Sequence, residues 1–577
     1  MKTKITVLFL FVLLSKTLIL NAQNPFPDSL FGSNGFAAYP FPTVNGVECS
    51  SLLDLQNGYF IYGGYSYDIN LNAYFIDMAK ASYCGDLDTT FGNNGLVHYT
   101  FSQRNTAFDY NSQSDGKILS CGVQATSNAG SQQFPYVARF LSNGTPDTTF
   151  GTGGSAVAQF ISGSNGLLFS VHPLADGRIV CTGYNGGSFA PAGIGAMRLM
   201  PDGSFDNTFN GNGKALYATN IGNTDGTGFV TPLGQVIALG STDNVSPYHF
   251  IAVAWDSTGA LDTSFGSGGV FIDSSTVIWK EVYATRLADG SIVMAGANSS
   301  GTVVYADKID ASGSLDPLFG VNGRITLTHP NVASIKAIHA LANGKVLVMG
   351  STNTGFGQGY IIQLDSNGSV DTTFGLQGFL ICDLNGNSGT HYSKDIVETI
   401  TGQWHIAGGG FVGLLAKRLT TVSNVPHISA LWQGNTVLQT SGNGTYQWYF
   451  NASLISGATY DTLNATQNGL YTVELTDALG CSIVSDTFNL TDVGIQNNTP
   501  AESLNIFPNP FKETITVNMN DNNKFKLTLY DVSFRRVHYS EFVKTITLPS
   551  SFLGSGIYFY EIKNVRGDIF SGKVIKE

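Results

Sequence analysis

Short apolar runs, each introduced by a polar turn and ending in glycine, recur along the first 420 residues: QNGYFIYGG from Gln56, SDGKILSCG from Ser114, ADGRIVCTG from Ala175, PLGQVIALG from Pro232, ADGSIVMAG from Ala288, ANGKVLVMG from Ala342 and ITGQWHIAG from Ile400. Asp-Gly or Asn-Gly between such runs predicts hairpins, because glycine accepts the positive φ these turns need. A third apolar segment, as in YVARFLSNG from Tyr136, leads to a second recurring pattern: Asp, Phe three residues on, usually Gly next, and another Gly three further. It reads DSLFGSNG from Asp28, DTTFGNNG from Asp88, DTTFGTGG from Asp147, DNTFNGNG from Asp206, DTSFGSGG from Asp262, DPLFGVNG from Asp316 and DTTFGLQG from Asp371. The copies are 60, 59, 59, 56, 54 and 55 residues apart. With the strand after each Asp motif, every unit offers about four strands, the content of one propeller blade.

The variations within the Asp motif indicate its physical role. Where the Gly after Phe is replaced, the substitute is Asn210, the non-glycine residue that best tolerates a left-handed backbone. Pro317 follows Asp316, a place in a helical-type turn that needs no N–H, while Pro27 and Pro146 precede their aspartates. These seven aspartates therefore read as caps whose carboxylates accept backbone N–H groups one turn on, with Phe plugging the core. Seven calcium or substrate sites would account for the Asp alone.

The chain at this point resembles the delta-60 repeat family, whose repeats carry LDxxFGxxG and DGKIxxxG segments. The likeness covers residues 28 to about 420. It implies β-propeller blades and no defined reaction. The expected fold is all-β: a seven-bladed β-propeller over residues 24–420, an immunoglobulin/PKD-like β-sandwich over 425–492, a linker over 493–504 and a small β-sandwich sorting domain over 505–577. If the strand after each motif completes the preceding blade, residues 36 to 41, FAAYPF, close the ring against the seventh blade.

Only 12% of the 577 residues are charged, while Gly 68, Phe 38 and Tyr 25 fit turn-rich β structure. The formal charge is −12. Residues 1–22, MKTK followed by an apolar stretch and small Ala22, read as a secretory signal, and losing its three lysines leaves −15. No later segment is apolar and long enough to span a bilayer, so no transmembrane segment is expected in the mature chain. An acidic surface argues against nucleic acid as a partner. Six cysteines, at 49, 84, 121, 181, 382 and 481, lie in the exported part without a CxxC pair. Cys121 and Cys181 hold neighbouring positions of the same strand in successive repeats, which suits burial better than a disulfide framework. One or two disulfides are the alternative.

Beyond residue 420 the period stops. TYQWYFN around Trp448 and GLYTVELTDALGCSIVSDTF from Gly469 resemble immunoglobulin-like or PKD-like modules, with Trp448 central, Tyr471 near a strand corner and Cys481 lacking a partner within the module. Such a module spaces or adheres. The last 73 residues resemble the type A C-terminal sorting domain of the type IX secretion system. The matching features are Pro508-Asn509-Pro510, the strand start Gly556-Ile557-Tyr558, and the terminal segment from Gly572-Lys573 to Lys576. The resemblance implies the type IX machinery as partner and a secreted or outer-membrane cell-surface destination. Residues 505–577 hold ten Lys or Arg against seven Asp or Glu, net +3, leaving −18 for residues 23–504.

Catalytic signatures are few. Gly408 to Gly413 satisfies GxGxxG, but LLAKRL follows where a dinucleotide site needs a helix N-terminus. Asp383, Asn385 and Asn387 have calcium-loop spacing, yet position twelve is Lys394 and not Glu. The histidines form no metal-spaced pair, and neither GxSxG nor HExxH occurs. No cofactor, metal or catalytic residue is assigned. The leading expectation is a secreted or surface binding protein presenting a propeller face to a glycan or surface protein. The alternative is a secreted carbohydrate-active hydrolase or lyase with acids at the propeller axis.

Overall fold

The computed structural model describes residues 26–577 except 34, 42–45, 128–131, 187–191, 219–225, 243–247, 279–281, 299–301, 329–331, 353–358, 383–391, 400–401, 411–412, 421–425, 433–435, 492–503, 521, 533–534 and 565–568. The expected leader, the calcium-spaced Asp383, Asn385 and Asn387, and nearly all of the expected 493–504 linker lie outside the described residues. The described residues form β-strands joined by turns and loops, with no helix among them. Among the described residues no helix is therefore long and apolar enough to cross a membrane. By its contacts the chain forms two compact units. The first takes in Met1–Ile428, Thr440–Asp461 and Thr472–Asp486; the second takes in Ser429–Gln439, Thr462–Tyr471 and Thr487–Glu577.

The first unit is a β-propeller. Its strands group in fours by antiparallel pairing. Five such groups are separate sheets, running from Arg104–Ser112 at the start to Phe379–Cys382 at the end. A nine-stranded sheet holds two more. One is Val47–Asp54, Tyr59–Asp68, Ala73–Ser82 and Leu96–Tyr99; the other is Tyr392–Glu398, Trp404–Gly410, Gly413–Thr420 and, from the other end of the chain, Phe36–Tyr39. A single pair, Gly410 with Val47, joins the two.

The ring closes at its centre as well. The first strand of each group touches that of the next, from Val47–Asp54 round to Tyr392–Glu398 and back to Val47–Asp54. Hydrophobic clusters fill every gap between neighbouring groups, as with Leu119, Val137, Leu168 and Met197 between the second and third, and Phe60, Tyr62, Ala407 and Leu414 between the last and first. Each sheet is thus packed on both faces. Its second strand accordingly reads as a continuous apolar run, buried at almost every residue of Ile118–Ala125 and Val346–Thr352.

The glycine that ends these runs has a steric cause. The first strands carry β-bulges, for example between Ala107 and Asp109, Leu168 and Ser170, and Ile335 and Ala337. A Cβ on Gly122, Gly183 or Gly350 would run into the carbonyl oxygen of Thr106, Leu167 or Ser334 beside the bulge.

Between residues 429 and 490 one sheet has the order Ser429–Trp432, Thr436–Gln439, Thr462–Asn464, and a second centres on Thr445–Phe450 and Gly469–Thr476. Trp448 is fully buried and donates its indole N–H to the Tyr460 carbonyl at 2.9 Å. The Tyr471 hydroxyl donates to the Gln467 carbonyl at 2.8 Å.

Beyond residue 503 the second unit has two sheets. One orders Leu504–Phe507, Thr514–Met519, Thr545–Pro549; the other orders Arg536–Val543, Lys524–Tyr530, Gly556–Asn564, Ile569–Lys576. Phe511, Val517, Leu527, Ile562 and Val574 are part of their shared core.

Four cysteines, Cys49, Cys121, Cys181 and Cys382, are buried. The other two, buried Cys481 and half-buried Cys84, are paired. Cys84 and Cys481 form a disulfide across 397 residues of sequence, within the first unit. A partner that distant carries no spacing signal, and that is why Cys481 reads as unpaired in the sequence.

Candidate functional site

Each Asp motif is one tight turn between the third and fourth strands of a group. The Phe N–H donates to the Asp carbonyl, as in Phe91 to Asp88 and Phe150 to Asp147, both at 3.0 Å. The residue after Phe is left-handed in all seven copies, with φ of 48° at Asn210 and 52–57° at the glycines. One carboxylate oxygen of each Asp accepts the N–H two residues on, at 2.9–3.1 Å: from Leu30, Thr90, Thr149, Thr208, Ser264, Leu318 and Thr373. Phe31, Phe91, Phe150, Phe209, Phe265 and Phe319 are wholly buried, and Phe374 is 5% exposed.

The other oxygen meets a group that sequence reading missed. Eight residues before the Asp, on the preceding strand, Lys80 meets Asp88 at 2.8 Å, Arg139 meets Asp147 at 2.8 Å, Arg198 meets Asp206 at 2.6 Å, Lys308 meets Asp316 at 2.9 Å and Gln363 meets Asp371 at 2.8 Å. The residue after the Asp-Gly or Asn-Gly turn adds another partner: Arg178 to Asp206 at 3.0 Å and Lys345 to Asp371 at 2.5 Å. The offset of eight was visible as a signal, broken by Ala254 before Asp262. Burial alone would raise these carboxyls, but hydrogen bonds from Lys345 and Thr373 outweigh it and hold Asp371 at about 2.

The turns also lace one group to the next. Gly92 N–H donates to the Asn143 carbonyl, Gly151 to Asp202 and Asn210 to Thr258. Asp28 does the same from the far end of the sequence. Its N–H donates to the Arg418 carbonyl, Arg418 N–H to Gly35, and Gly32 N–H to Cys84. Arg418 therefore stands where Arg139 and Arg198 stand elsewhere, separated from its Asp by 390 residues of sequence.

Arg418 is fully buried, with one nitrogen 3.0 Å from both Asp28 and Asp477. Only the Asp477 contact has hydrogen-bond geometry, and among the described residues the Asp28 Oδ2 atom has no donor. Accordingly burial, only partly opposed by Arg418, raises the Asp28 carboxyl.

At the axis the first strands lie side by side without pairing, so their free edges need other partners. Polar side chains supply them. Asp109 accepts N–H from Tyr110 and, in the next group, Val171; Asp395 accepts from Ile396 and, in the next group, Leu52. Asn111 donates to the Val171 carbonyl, and Glu398 N–H donates to His339 Nε2. Burial pushes Asp109 up to about 6 and Asp395 up to about 7, and lowers His172 and His339 to about 4.

Carboxyls raised in the folded state contribute stability that is full below about pH 4 and lost as pH rises through 6 and 7; the two histidines act oppositely, losing theirs as pH falls from 6.5 towards 4. The difference in melting temperature between a D109N/D395N variant and the native chain should therefore grow in the variant's favour from pH 5 to pH 8. A difference independent of pH would refute the assignment.

On the Asp-motif side a cleft of about 560 Å³ is lined by Asp176, Arg178, Arg198, Leu233 and Ser257, among others. Its arginines are already engaged, Arg178 with Asp176 and Asp206, and Arg198 with Asp206, Thr208 and the Ser257 carbonyl. Among the described residues no three His, Cys, Asp or Glu side chains converge with metal-holding geometry. The GxGxxG glycines lie on strands: Gly408 to Gly410 end Trp404–Gly410 and Gly413 starts the next, with 411–412 outside the described residues.

In the second unit, the Pro508-Asn509-Pro510 loop is tied to the last strand. Asn509 donates to the Lys573 carbonyl at 3.2 Å and accepts the Ile575 N–H at 2.8 Å. Phe511, fully buried, donates its N–H to Ile575. Tyr558 is buried, with its hydroxyl on the Gly554 carbonyl at 2.9 Å, and Gly556 begins that strand at φ 152°. Gly572 leaves room for the Tyr560 ring across the pair.

Comparison with known families agrees with both parts. The family model described as a secretion system C-terminal sorting domain matches residues 505–577. That of a β-propeller domain of unknown function, DUF5122, matches residues 113–150, 174–209 and 341–374, each running from the hairpin turn to the motif Phe. The chain carries a delta-60-like β-propeller and a type IX sorting domain. The sorting domain marks it for export by type IX secretion, to the cell surface or the medium.

No curated protein matches the chain. Similar solved structures include a protein of unknown function from Dyadobacter fermentans (11% identity, 67% of this chain and 99% of that one, TM-score 0.33). Two others are Sqt1 from Chaetomium thermophilum (10%, 66% and 98%, 0.37) and a polysaccharide lyase, Uly1 (10%, 69% and 96%, 0.37).

Proposed function

We propose that this exported chain is a binding protein whose seven-bladed propeller presents a face to a glycan or surface protein, with residues 425–492 acting as an immunoglobulin- or PKD-like spacer. The observation that carries this reading is the use made of the axial acids. Asp109 and Asp395, two inner-strand acids that a hydrolase or lyase could use, each accept backbone N–H groups with both oxygens and so join neighbouring inner strands. On the same reading the seven motif aspartates are structural caps, and Pro508, Asn509, Pro510, Gly556, Tyr558, Gly572 and Lys573 form the part of the sorting domain that the type IX machinery reads.

The test is to incubate the exported chain with a panel of polysaccharides and surface glycans, following depletion and new products by mass spectrometry. Depletion of an intact glycan is the expected result. New cleavage products would overturn the reading, and no depletion would confine it to protein partners.

A further inference from the structure

One end of the first four-strand group departs from the repeat. At the position of Tyr65 the other groups carry Val123, Tyr184, Ser241, Ala297, Ser351 and Gly409. Only Tyr184 is aromatic among these, and it is buried and stacked on Phe169. In the first group Tyr65 and Tyr67 alternate along one strand, with Tyr74 on its partner. The hairpin that joins those two strands lies at the end opposite the Asp motifs, because the group is an antiparallel meander.

The three tyrosines are half-buried, with rings in contact: Tyr67 to Tyr74 at 4.9 Å and Tyr65 to Tyr74 at 6.5 Å. The next group extends the set. Phe108, itself a bulge residue, meets Tyr65 edge-on at 6.2 Å, and the Arg104 guanidinium lies 5.0 Å from the Tyr74 centroid. Hydrogen-bonding groups ring these faces. The Tyr65 hydroxyl donates to exposed Glu48 and the Tyr67 hydroxyl to exposed Asn72, each at 2.7 Å. Arg104 Nε is buried, and no acceptor among the described residues takes its hydrogen.

A cross-strand Tyr67–Tyr74 pair would stabilise the hairpin by itself. That role requires neither an arginine from the next group nor hydroxyls held on exposed side chains. A sugar ring requires both kinds of group. Its C–H faces carry the partial positive charge that an aromatic face attracts, and its equatorial hydroxyls need donors and acceptors at the rim.

We propose that this aromatic platform, built on Tyr65 and Tyr74 with the Arg104 guanidinium over the Tyr74 ring and Glu48 and Asn72 at its edge, is a carbohydrate subsite that takes a pyranose unit of a polysaccharide. The proposal rests on the binding reading above and assigns it a ligand class and a place.

Affinity electrophoresis of the exported chain through gels containing a soluble glucan, mannan, xylan or alginate tests it. At least one should retard the native chain. Tyr65→Ala and Tyr74→Ala should weaken that retardation about tenfold or more, and Tyr74→Phe, which keeps the ring, should change it little. Melting curves matching the native chain exclude unfolding. Where an alanine variant melts early, Asn72→Ala at the edge of the platform and Arg104→Gln over the Tyr74 ring should still weaken binding. Retardation of the folded alanine variants equal to the native chain would overturn the platform and leave a glycan-binding propeller standing. Absence of retardation by every polysaccharide would overturn the platform and leave only the protein-binding form of the function.

Discussion

Replacing Arg418 by methionine should cost the propeller about 3–5 kcal/mol, because it leaves Asp28 and Asp477 facing each other in the interior with no cation. Elsewhere in the ring an aspartate and its partner eight residues earlier belong to one chain segment, so they stay neighbours even while the group frays. Asp28 and Arg418 meet only when the first and last strands pair, so their contact forms only once the ring is closed. The loss should register as a melting temperature lower by several degrees. It should shrink as pH falls, because burial already raises the Asp28 carboxyl and a protonated Asp28 no longer needs its partner. Lys at position 418 should rescue only in part, since one ammonium cannot reach Asp477 and the Tyr83 carbonyl together as the guanidinium does. An R418M variant within about 0.5 kcal/mol of the native chain would refute this account of closure.

The disulfide acts at the same place. Cys84 lies in the loop whose carbonyls at Tyr83 and Cys84 receive the Arg418 guanidinium and the Gly32 N–H. Its partner Cys481 follows Asp477 by four residues, and Asp477 holds the Cys481 N–H on its own carboxylate at 2.9 Å. One short turn beyond the repeats therefore supplies both the second anion for Arg418 and the covalent bond to the first group. Oxidation, available to an exported chain, fixes the seam where ring closure is entropically most demanding.

The repeat, its strand content and the left-handed residue after Phe were legible because each recurs at fixed spacing and follows from local backbone chemistry. The motif Asp and its N–H donor are two residues apart, closer than the one turn expected from the sequence. Arg418 could not be read as part of an Asp motif, because its aspartate precedes it by nearly 400 residues. The Cys84–Cys481 bond was hidden for the same reason. Lys80, Arg139, Arg198 and Lys308 were accessible at an offset of eight, but a lone basic residue on a strand reads as surface until its aspartate is seen beside it. The aromatic platform was obscured differently. YFIYGGYSYD matches the repeat in its apolar positions, and the tyrosines acquire meaning only when Phe108 and Arg104 arrive from the next group.

Removing residues 505–577 should abolish arrival at the cell surface and leave the propeller inside the envelope, the largest functional effect expected of any change to this chain. The segment has its own core around Phe511, Leu527, Ile562 and Val574, and it carries net +3 against −18 for residues 23–504, so its loss removes a separately built, oppositely charged module. A finer cut separates fold from signal. The strand Ile569–Lys576 pairs along Gly556–Asn564 and is held at its other side by Asn509 and Phe511. Deleting residues 569–577 should therefore unfold the sorting domain and block export, whereas Asn509→Ala, which removes two hydrogen bonds from a solvent-exposed loop, should weaken export while the core persists. Fractionation with protease shaving of intact cells measures both. Unchanged surface arrival after removal of 505–577 would show that the route to the surface is read from some other part of the chain.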